Sequence, residues 1–207
     1  MAGNGPFTWV QFFGDDGENI EDYMLLSTPI AERGHIVVVH LGLSDATDVE
    51  ESLTTAETGY EYMVMLNESN DVIMGSFGQI DLNHWGLGGH GHGAASAYGI
   101  LPYWNERSDT PGAQPPRALF GLGADFSSWD EGAHWSDLAP SDWSIDPAMP
   151  STGIFITGTL DGVAEFNEVT AVLGANDMLG WHAMQLLGAN HYQFQDSTSF
   201  VEGFGDE

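Results

Sequence analysis

The sequence predicts a mainly β protein, a jelly-roll-like sandwich or barrel with one or two short helices and a long Trp/Pro-rich loop. The prediction rests on about eight short segments rich in aromatic and β-branched residues, on Gly and Pro turn signals between them, and on only two segments with helical spacing. The chain of 207 residues has the length of one domain, so a single β-rich domain over residues 1–207 is expected. A small α+β domain with a twisted barrel and one flanking helix is the alternative.

The first third of the chain is typical of strands. Residues 7–13 (FTWVQFF) are aromatic and β-branched, and residues 23–30 are predicted to form a second strand after an acidic turn at residues 15–19. Residues 35–43 (HIVVVHLGL) form a nearly continuous apolar run, which is typical of a strand buried on both faces. The acidic turn is interpreted as solvated, with a calcium site as the alternative, because it lacks the spacing of an EF-hand.

A helix is predicted next, capped by Ser44, with apolar residues at helical spacing: Ala46, Val49, Leu53 and Ala56. Residues 60–66 and 71–77 are then predicted to form a hairpin around the polar turn at residues 67–70. Asn67 begins an Asn-Glu-Ser glycosylation sequon, and a hairpin tip would expose it.

Residues 103–150 are predicted to form a long irregular insertion or arm within the domain. Four of the seven tryptophans lie in it: Trp104, Trp129, Trp135 and Trp143. These residues are candidate interface or binding residues, because buried aromatic side chains anchor contacts between subunits. The alternatives are a satellite core under the loop and a set of exposed rings that stack on sugars.

The end of the chain returns to regular structure. Residues 153–160 are predicted to form a strand that ends in the hairpin dipeptide Asp161-Gly162. Residues 163–173 fit a strand or a helix equally well. Residues 177–187 are predicted to be helical, and residues 191–194 to form a final strand.

The charge balance excludes several partners. The chain has 31 acidic residues, three arginines and no lysine, for a formal net charge of −28. Three arginines cannot neutralise a nucleic-acid backbone or bind an anionic membrane surface. Molar salt shortens the screening length to about 3 Å and would relieve the repulsion among the carboxylates, so we expect a protein adapted to high salt. An acidic protein that binds divalent cations is the alternative.

Other classes lack their sequence signals. No apolar run reaches the length of a membrane span, and residues 1–6 carry no secretory signal. Cysteine is absent, which excludes disulfides and thiolate chemistry. The serine-nucleophile, zincin and phosphate-loop motifs are also missing, so the protein is not expected to be an enzyme.

His90-Gly91-His92 is the sharpest local motif. On a strand, alternate residues point to the same side, so His90 and His92 are candidate ligands of one metal ion, with His84 as the next candidate and His134 or His182 as additional ligands. The triplet resembles the His-x-His of cupins, which are jelly-roll metalloenzymes, although the following glutamate is replaced by Ala94–Ala97. It also resembles the iron-binding His-x-His of trimeric viral tail fibres. The alternative is a pair of solvated loop histidines.

In composition, the whole chain resembles structural proteins from viruses of extremely halophilic archaea. The resemblance rests on the absence of lysine, the dominance of acids, the Gly- and Trp-rich segments and the lack of a signal peptide. It implies a virion protein of the capsid, decoration or tail, made in a high-salt cytoplasm and bound to copies of itself and to other virion proteins. The alternatives are a β-domain that binds a glycan or receptor, and a cupin-like enzyme that uses His90 and His92.

Overall fold

The computed structural model describes residues 5–41, 49–69, 79–101, 103–104, 112–126, 152–175 and 180–194. These residues form one six-stranded sheet in which every strand pairs in parallel, and the strand order is β2-β1-β3-β4-β5-β6. The predicted jelly-roll sandwich and the mainly β class are therefore wrong, and the fold is of the α/β type.

The strands are β1 (Phe7–Phe13), β2 (Ile36–His40), β3 (Ile80–His90), β4 (Ala118–Leu122), β5 (Gly153–Gly158) and β6 (Trp181–Leu186). The α-helices of the described residues are α1 (Met24–Glu32), α2 (Val49–Glu68), α3 (His92–Gly99) and α4 (Phe166–Ala175), with 3₁₀ turns at Ile20–Tyr23 and His191–Phe194. Among the described residues, these helices lie in the connections β1–β2, β2–β3, β3–β4 and β5–β6, where parallel strands need a crossover.

The apolar side chains lie on both faces of the sheet. One face packs Trp9, Leu87, Leu119 and Phe155 against the helices α2, α3 and α4. The other face packs Phe12 and Leu122 against Tyr23 and Leu26, at the start of α1. A parallel sheet is normally covered in this way on both faces.

Two predicted strands are helical, and the reason is local. The Asn19 N–H donates to the Asp22 carboxylate (2.7 Å), and this bond starts the turn that leads into α1, where the sequence predicted a strand over residues 23–30. In the predicted hairpin, Tyr60, Met63 and Leu66 are buried three residues apart, which is the repeat of a helix face. Residues 60–66 thus continue α2, and residues 71–77 lie outside the described residues.

The predictions for the end of the chain are partly right. The strand over residues 153–160 is confirmed as β5, but Asp161-Gly162 does not turn into a hairpin, because β5 and β6 are parallel. The predicted helix over residues 177–187 is instead β6, where Trp181 and Ala183 pack on the core and His182 and Met184 are exposed. The predicted strand over residues 191–194 is a 3₁₀ turn.

Two predicted surface residues have structural contacts. Trp104 is buried (1% exposed) and packs on Trp85 and Tyr60, so it belongs to the core and cannot stack on a sugar. Asn67 lies in the last turn of α2 rather than at a hairpin tip, and its Oδ1 accepts the Ile80 N–H (2.9 Å). Trp129, Trp135 and Trp143 lie outside the described residues. Part of the segment 103–150 is regular, since it contains β4.

The strand order changes direction at β1. The chain leaves β1 on one side to form β2 and then returns on the other side to form β3. In open α/β sheets, ligands bind outside the carboxyl ends of the strands at such a switch point. The segment between β3 and α3 therefore lies at the position where the fold favours a binding site.

Candidate active site

Six polar side chains meet at the carboxyl ends of the strands. They come from five of the six strands. His90 ends β3 and His92 starts the helix after it, while the other four follow a strand: Asp15 after β1, Asp125 after β4, Asp161 after β5 and His191 after β6. Carboxyl ends of parallel strands lie at one edge, so residues far apart in sequence come together. Asp15 and His191 are 176 positions apart and in direct contact.

Gly91 makes the sharp turn between β3 and α3. Its backbone has φ 54° and ψ −124°, a conformation that favours glycine. Its N–H donates to Leu122 O (3.0 Å) and its carbonyl accepts from the Asp125 N–H (3.2 Å), so the end of β4 holds the turn. A side chain built on Gly91 would overlap the carboxyl group of Asp15.

Asp15 lies at the centre of the site. Its Oδ1 accepts the His92 backbone N–H (2.9 Å), and its Oδ2 accepts from His191 Nε2 (3.0 Å). Its own N–H donates to the Tyr23 hydroxyl (2.7 Å). The side chain is 15% exposed, so it is not completely enclosed by the protein.

Asp161 orients His191 from the far side of the ring. Asp161 Oδ2 lies 3.2 Å from His191 Nδ1, and both side chains are buried. Asp161 Oδ1 accepts the N–H groups of Val163 (3.0 Å) and Ala164 (2.8 Å). Both ring nitrogens of His191 therefore face carboxylates, which only accept when ionised, so the ring carries both protons.

His92 repeats this arrangement on the other oxygen of Asp15. Its Nε2 lies 3.2 Å from Asp125 Oδ2, and its Nδ1 lies 3.2 Å from Asp15 Oδ1 and 3.6 Å from Asp16 Oδ2. The Nδ1 contact is at ion-pair distance but off hydrogen-bond alignment. Asp15 thus lies between two imidazolium rings, and each ring contacts a second carboxylate, Asp125 for His92 and Asp161 for His191.

His90 is the neutral member of the group. Its Nε2 donates to the His191 carbonyl (3.1 Å), and its Nδ1 accepts from the Tyr23 hydroxyl (3.2 Å). Burial and the charged His191 lower the pKa of His90 to about 4. His90 therefore positions Tyr23 and His191 without carrying charge.

The pKa shifts agree with the geometry. The carboxylates of Asp125 and Asp15 raise the pKa of His92 to about 10. Burial opposes the protonation of His191, but its bonds to Asp15 and Asp161 outweigh burial and raise its pKa to about 9. Burial also opposes the ionisation of Asp15, yet the two histidines hold its pKa well below the usual range. In a chain without lysine, histidines supply the cations of this site.

The predicted metal pair is not formed in the way the sequence suggested. His90 ends β3 and His92 begins α3, so the two rings do not share one side of a strand. His84 is exposed beside Asp81, His182 is exposed on β6, and His134 lies outside the described residues. Ligand atoms of Asp15, His90 and His191 do lie within 4.8 Å of one another. A metal there would have to replace the hydrogen bonds just described, so the predicted divalent cation stays a prediction.

The sequence patterns do not identify Asp15, Asp125, Asp161 and His191 as members of one site. Asp15 was interpreted as part of a solvated turn and Asp161 as part of a hairpin. Their positions in the sequence could have connected two of them, because Asp15 and Asp161 each come two or three residues after an apolar strand. If those strands are parallel, both residues lie at the carboxyl ends of the strands. A mainly β prediction removed that reason to connect them.

We expect stability to be greatest near pH 6.5. His92 and His191 have raised pKa values, so their contribution is complete below the ordinary value of 6.5 and is lost as the pH rises towards 9–10. His40 and His90 have pKa values lowered to about 4, so their contribution is lost as the pH falls from 6.5 to 4. Thermal unfolding between pH 4 and 10, at constant molar salt, should show a melting temperature that falls by about 5 °C or more on each side.

The exposed His84 provides the control, since a His84→Gln variant should keep the same profile. A melting temperature that is constant or rises between pH 6.5 and 9 would contradict the protonated state of His92 and His191.

Among the helices of the described residues, none combines the length and the apolar character that crossing a bilayer requires. No known family matches the chain, and no curated protein matches its sequence.

Proposed function

We propose that the protein is a hydrolase that works through a covalent ester on Asp15. The observation that carries this proposal is the position of the Asp15 carboxylate, which fills the volume that a side chain at the Gly91 turn would occupy. The carboxylate also contacts His191, and Asp161 contacts the other nitrogen of that ring. A nucleophile, a histidine and an orienting carboxylate are the parts of a catalytic triad.

The arrangement resembles that of α/β-hydrolase enzymes. In those enzymes, the nucleophile lies on a sharp strand-to-helix turn, and the acid and the histidine follow in chain order. Gly91, Asp161 and His191 have these positions and this order. The residue after the turn donates its backbone N–H to an oxyanion in those enzymes, and the N–H of His92 holds Asp15 Oδ1 here. Asp15 thus takes the place of the missing serine.

Asp15 suits attack on a saturated carbon. A carboxylate that adds to an ester carbonyl is itself the better leaving group and is expelled again, whereas attack on saturated carbon gives a stable alkyl ester. Esterification removes the charge of Asp15, so His191 loses one of its two anionic partners and releases its Nε2 proton to solvent. The neutral ring then takes a proton from a water molecule that attacks Asp15 Cγ, which restores the carboxylate.

The charge of the site favours an uncharged substrate. Three carboxylates (Asp15, Asp125, Asp161) and two imidazolium rings leave a net negative charge at the centre, and the whole chain carries −28. Anionic substrates would be repelled. Small epoxides and alkyl halides are uncharged electrophiles of the required kind.

Oxygen-isotope labelling under single-turnover conditions tests the proposal. With enzyme in excess over 1,2-epoxybutane or 1-bromobutane in ¹⁸O water, water that attacks the ester places ¹⁸O in the Asp15 carboxylate, and the product receives oxygen from Asp15. Peptide mass spectrometry reads both. Asp15→Asn should abolish turnover, while Asp16→Asn, on the neighbouring and more exposed carboxylate, should keep it. Label in the product alone, or no reaction with either reagent, would overturn the proposal.

The prediction of a virion structural protein rests on composition alone and stays a prediction. Its test is the assembly state in multimolar salt. A role in assembly and a hydrolytic site are separate questions, because the residues of the site are held within one chain.

A further inference from the structure

We infer that His92 is a second catalytic residue of this site, the donor of the proton that the leaving group takes up when Asp15 attacks. The inference rests on the proposed function of Asp15 as the nucleophile. It assigns the two histidine–carboxylate pairs to the two halves of the reaction, with Asp125–His92 serving the formation of the ester and Asp161–His191 its hydrolysis.

The first argument is the division of the Asp15 carboxylate between the two pairs. His191 contacts Oδ2, whereas His92 lies beside Oδ1 through both its backbone N–H and its ring. When Oδ1 attacks a substrate carbon, the His92 ring therefore lies next to that carbon, because reacting atoms approach to about 3–3.5 Å before bond formation.

The second argument is exposure. The His92 side chain is 23% exposed, whereas that of His191 is 4% exposed. The ring of His92 is therefore the more accessible of the two, although its Nδ1 atom is itself covered, and His191 is almost fully buried. A buried histidine suits a small water molecule, and a partly exposed one suits contact with the substrate.

The third argument is a donor without an aligned acceptor. His92 Nδ1 has no hydrogen bond of good geometry, although its Nε2 is paired with Asp125. A ring between carboxylates carries a proton on Nδ1, and in the structure this proton faces Asp15 Oδ1 (3.2 Å) and Asp16 Oδ2 (3.6 Å) without hydrogen-bond alignment to either. Oδ1 displaces the leaving oxygen from the opposite side of the carbon, so the His92 ring turns from Oδ1 towards that oxygen, which then accepts the proton.

The reaction balances with these roles. Asp15 Oδ1 forms a bond to a substrate carbon, the carbon–oxygen bond of the leaving group breaks with its electron pair on oxygen, and the Nδ1 proton of His92 neutralises that oxygen. Hydrolysis of the ester consumes one water molecule, returns the Asp15 carboxylate and gives one proton to His191. The proton that His191 released to solvent when the ester formed is matched by the one that His92 takes up from solvent. For an epoxide, the sum is addition of water to give a diol.

This role predicts the substrate class. An epoxide oxygen leaves as an alkoxide and needs a proton, whereas a halide leaves as a stable anion without one. The donor at His92 would give no advantage with halides, so we infer that an epoxide or a comparable strained cyclic ether is the substrate class of the site.

The test compares two leaving groups on one carbon skeleton. The rate of formation of the Asp15 ester is measured by rapid quench and intact mass with 1,2-epoxybutane and with 1-bromobutane. In His92→Gln, the rate with the epoxide should fall by about 10²–10⁴-fold more than the rate with the bromide, because this is the usual contribution of a general acid. Asp125→Asn should likewise slow the reaction with the epoxide more than the reaction with the bromide. This variant replaces His92→Gln in the test if His92→Gln does not fold.

The outcomes separate the two proposals. Equal slowing with both reagents would overturn the role of His92 and leave Asp15 as the nucleophile. Absence of an Asp15 ester in the wild-type protein would overturn the proposed function itself. An Asp15 ester that accumulates in His92→Gln would also contradict the assignment, because it would place His92 in hydrolysis.

Discussion

Replacing Asp161 by asparagine should slow turnover by about 10³–10⁴-fold, the cost of a wrong histidine tautomer in a catalytic triad. The carbonyl oxygen of the new amide side chain would keep the hydrogen bonds from the N–H groups of Val163 and Ala164, which Asp161 Oδ1 now accepts. The amide N–H₂ would then face His191 Nδ1, and that nitrogen would have to accept. The proton of the neutral ring would move to Nε2, where the ring could still bond Asp15 but could not take a proton from water.

The ester on Asp15 should therefore form and accumulate in Asp161→Asn, and intact mass spectrometry after mixing with 1,2-epoxybutane measures it. Asp125→Asn is the matched control, because Asp125 supports the other histidine and its loss should slow formation of the ester without trapping it. Turnover of Asp161→Asn within tenfold of the wild type would contradict the assignment of His191 as the base in hydrolysis.

Replacing Asp15 by alanine should cost about 3–5 kcal/mol of folding free energy, the usual cost of removing one partner from a buried ion pair. The loss leaves the imidazolium rings of His92 and His191 without the carboxylate they share. Their pKa values should fall as a result. For a chain of this length, the melting temperature should fall by roughly 6–20 °C.

Thermal unfolding in molar salt measures this change, because salt screens the −28 charge of the chain. Asp16→Ala is the control, since its carboxylate is more than half exposed and its removal should have little effect. The difference between wild type and Asp15→Ala should decrease above pH 10, where both histidines have lost their protons. An Asp15→Ala protein as stable as the wild type at pH 7 would contradict the ionic network.

Local patterns predicted the central elements of the fold but not the way they pair. The strand at residues 7–13 and the helix through Val49, Leu53 and Ala56 are confirmed. The strand predicted over residues 153–160 is confirmed over Gly153–Gly158. The failures come from segments such as residues 60–66, where aromatic residues suggested a strand although their buried members repeat at helical spacing. Strand pairing depends on contacts across the whole chain, so no local signal distinguished a sandwich from a parallel sheet. The apolar run at residues 35–43 suggested burial on both faces, but β2 is an edge strand and only partly buried.

The site was predicted in part, through the histidines of the His90-Gly91-His92 triplet. The chemistry assigned to them assumed that all three residues lie on a strand, and a strand does end at His90. The turn at Gly91 ends the strand, so His92 lies at the start of a helix. Because glycine has no reactive side chain, the sequence motif gave no indication of a nucleophile at this turn. Asp15 and His191 have no motif in common, and only the parallel sheet brings them together.

The strand order also determines how the protein can be assembled as it is synthesised. The strands β2, β1 and β3 come from the first 90 residues, and β4, β5 and β6 then add one after another at the same edge. Each new strand has its partner already in place and never has to insert between two others. His191 comes after the last of these strands, so the emerging chain contains Asp15 and His92 long before the residue that completes their network. The ribosome must release the chain through residue 191 before this site can close, and a product that stops short of His191 would have an incomplete charge network at its centre.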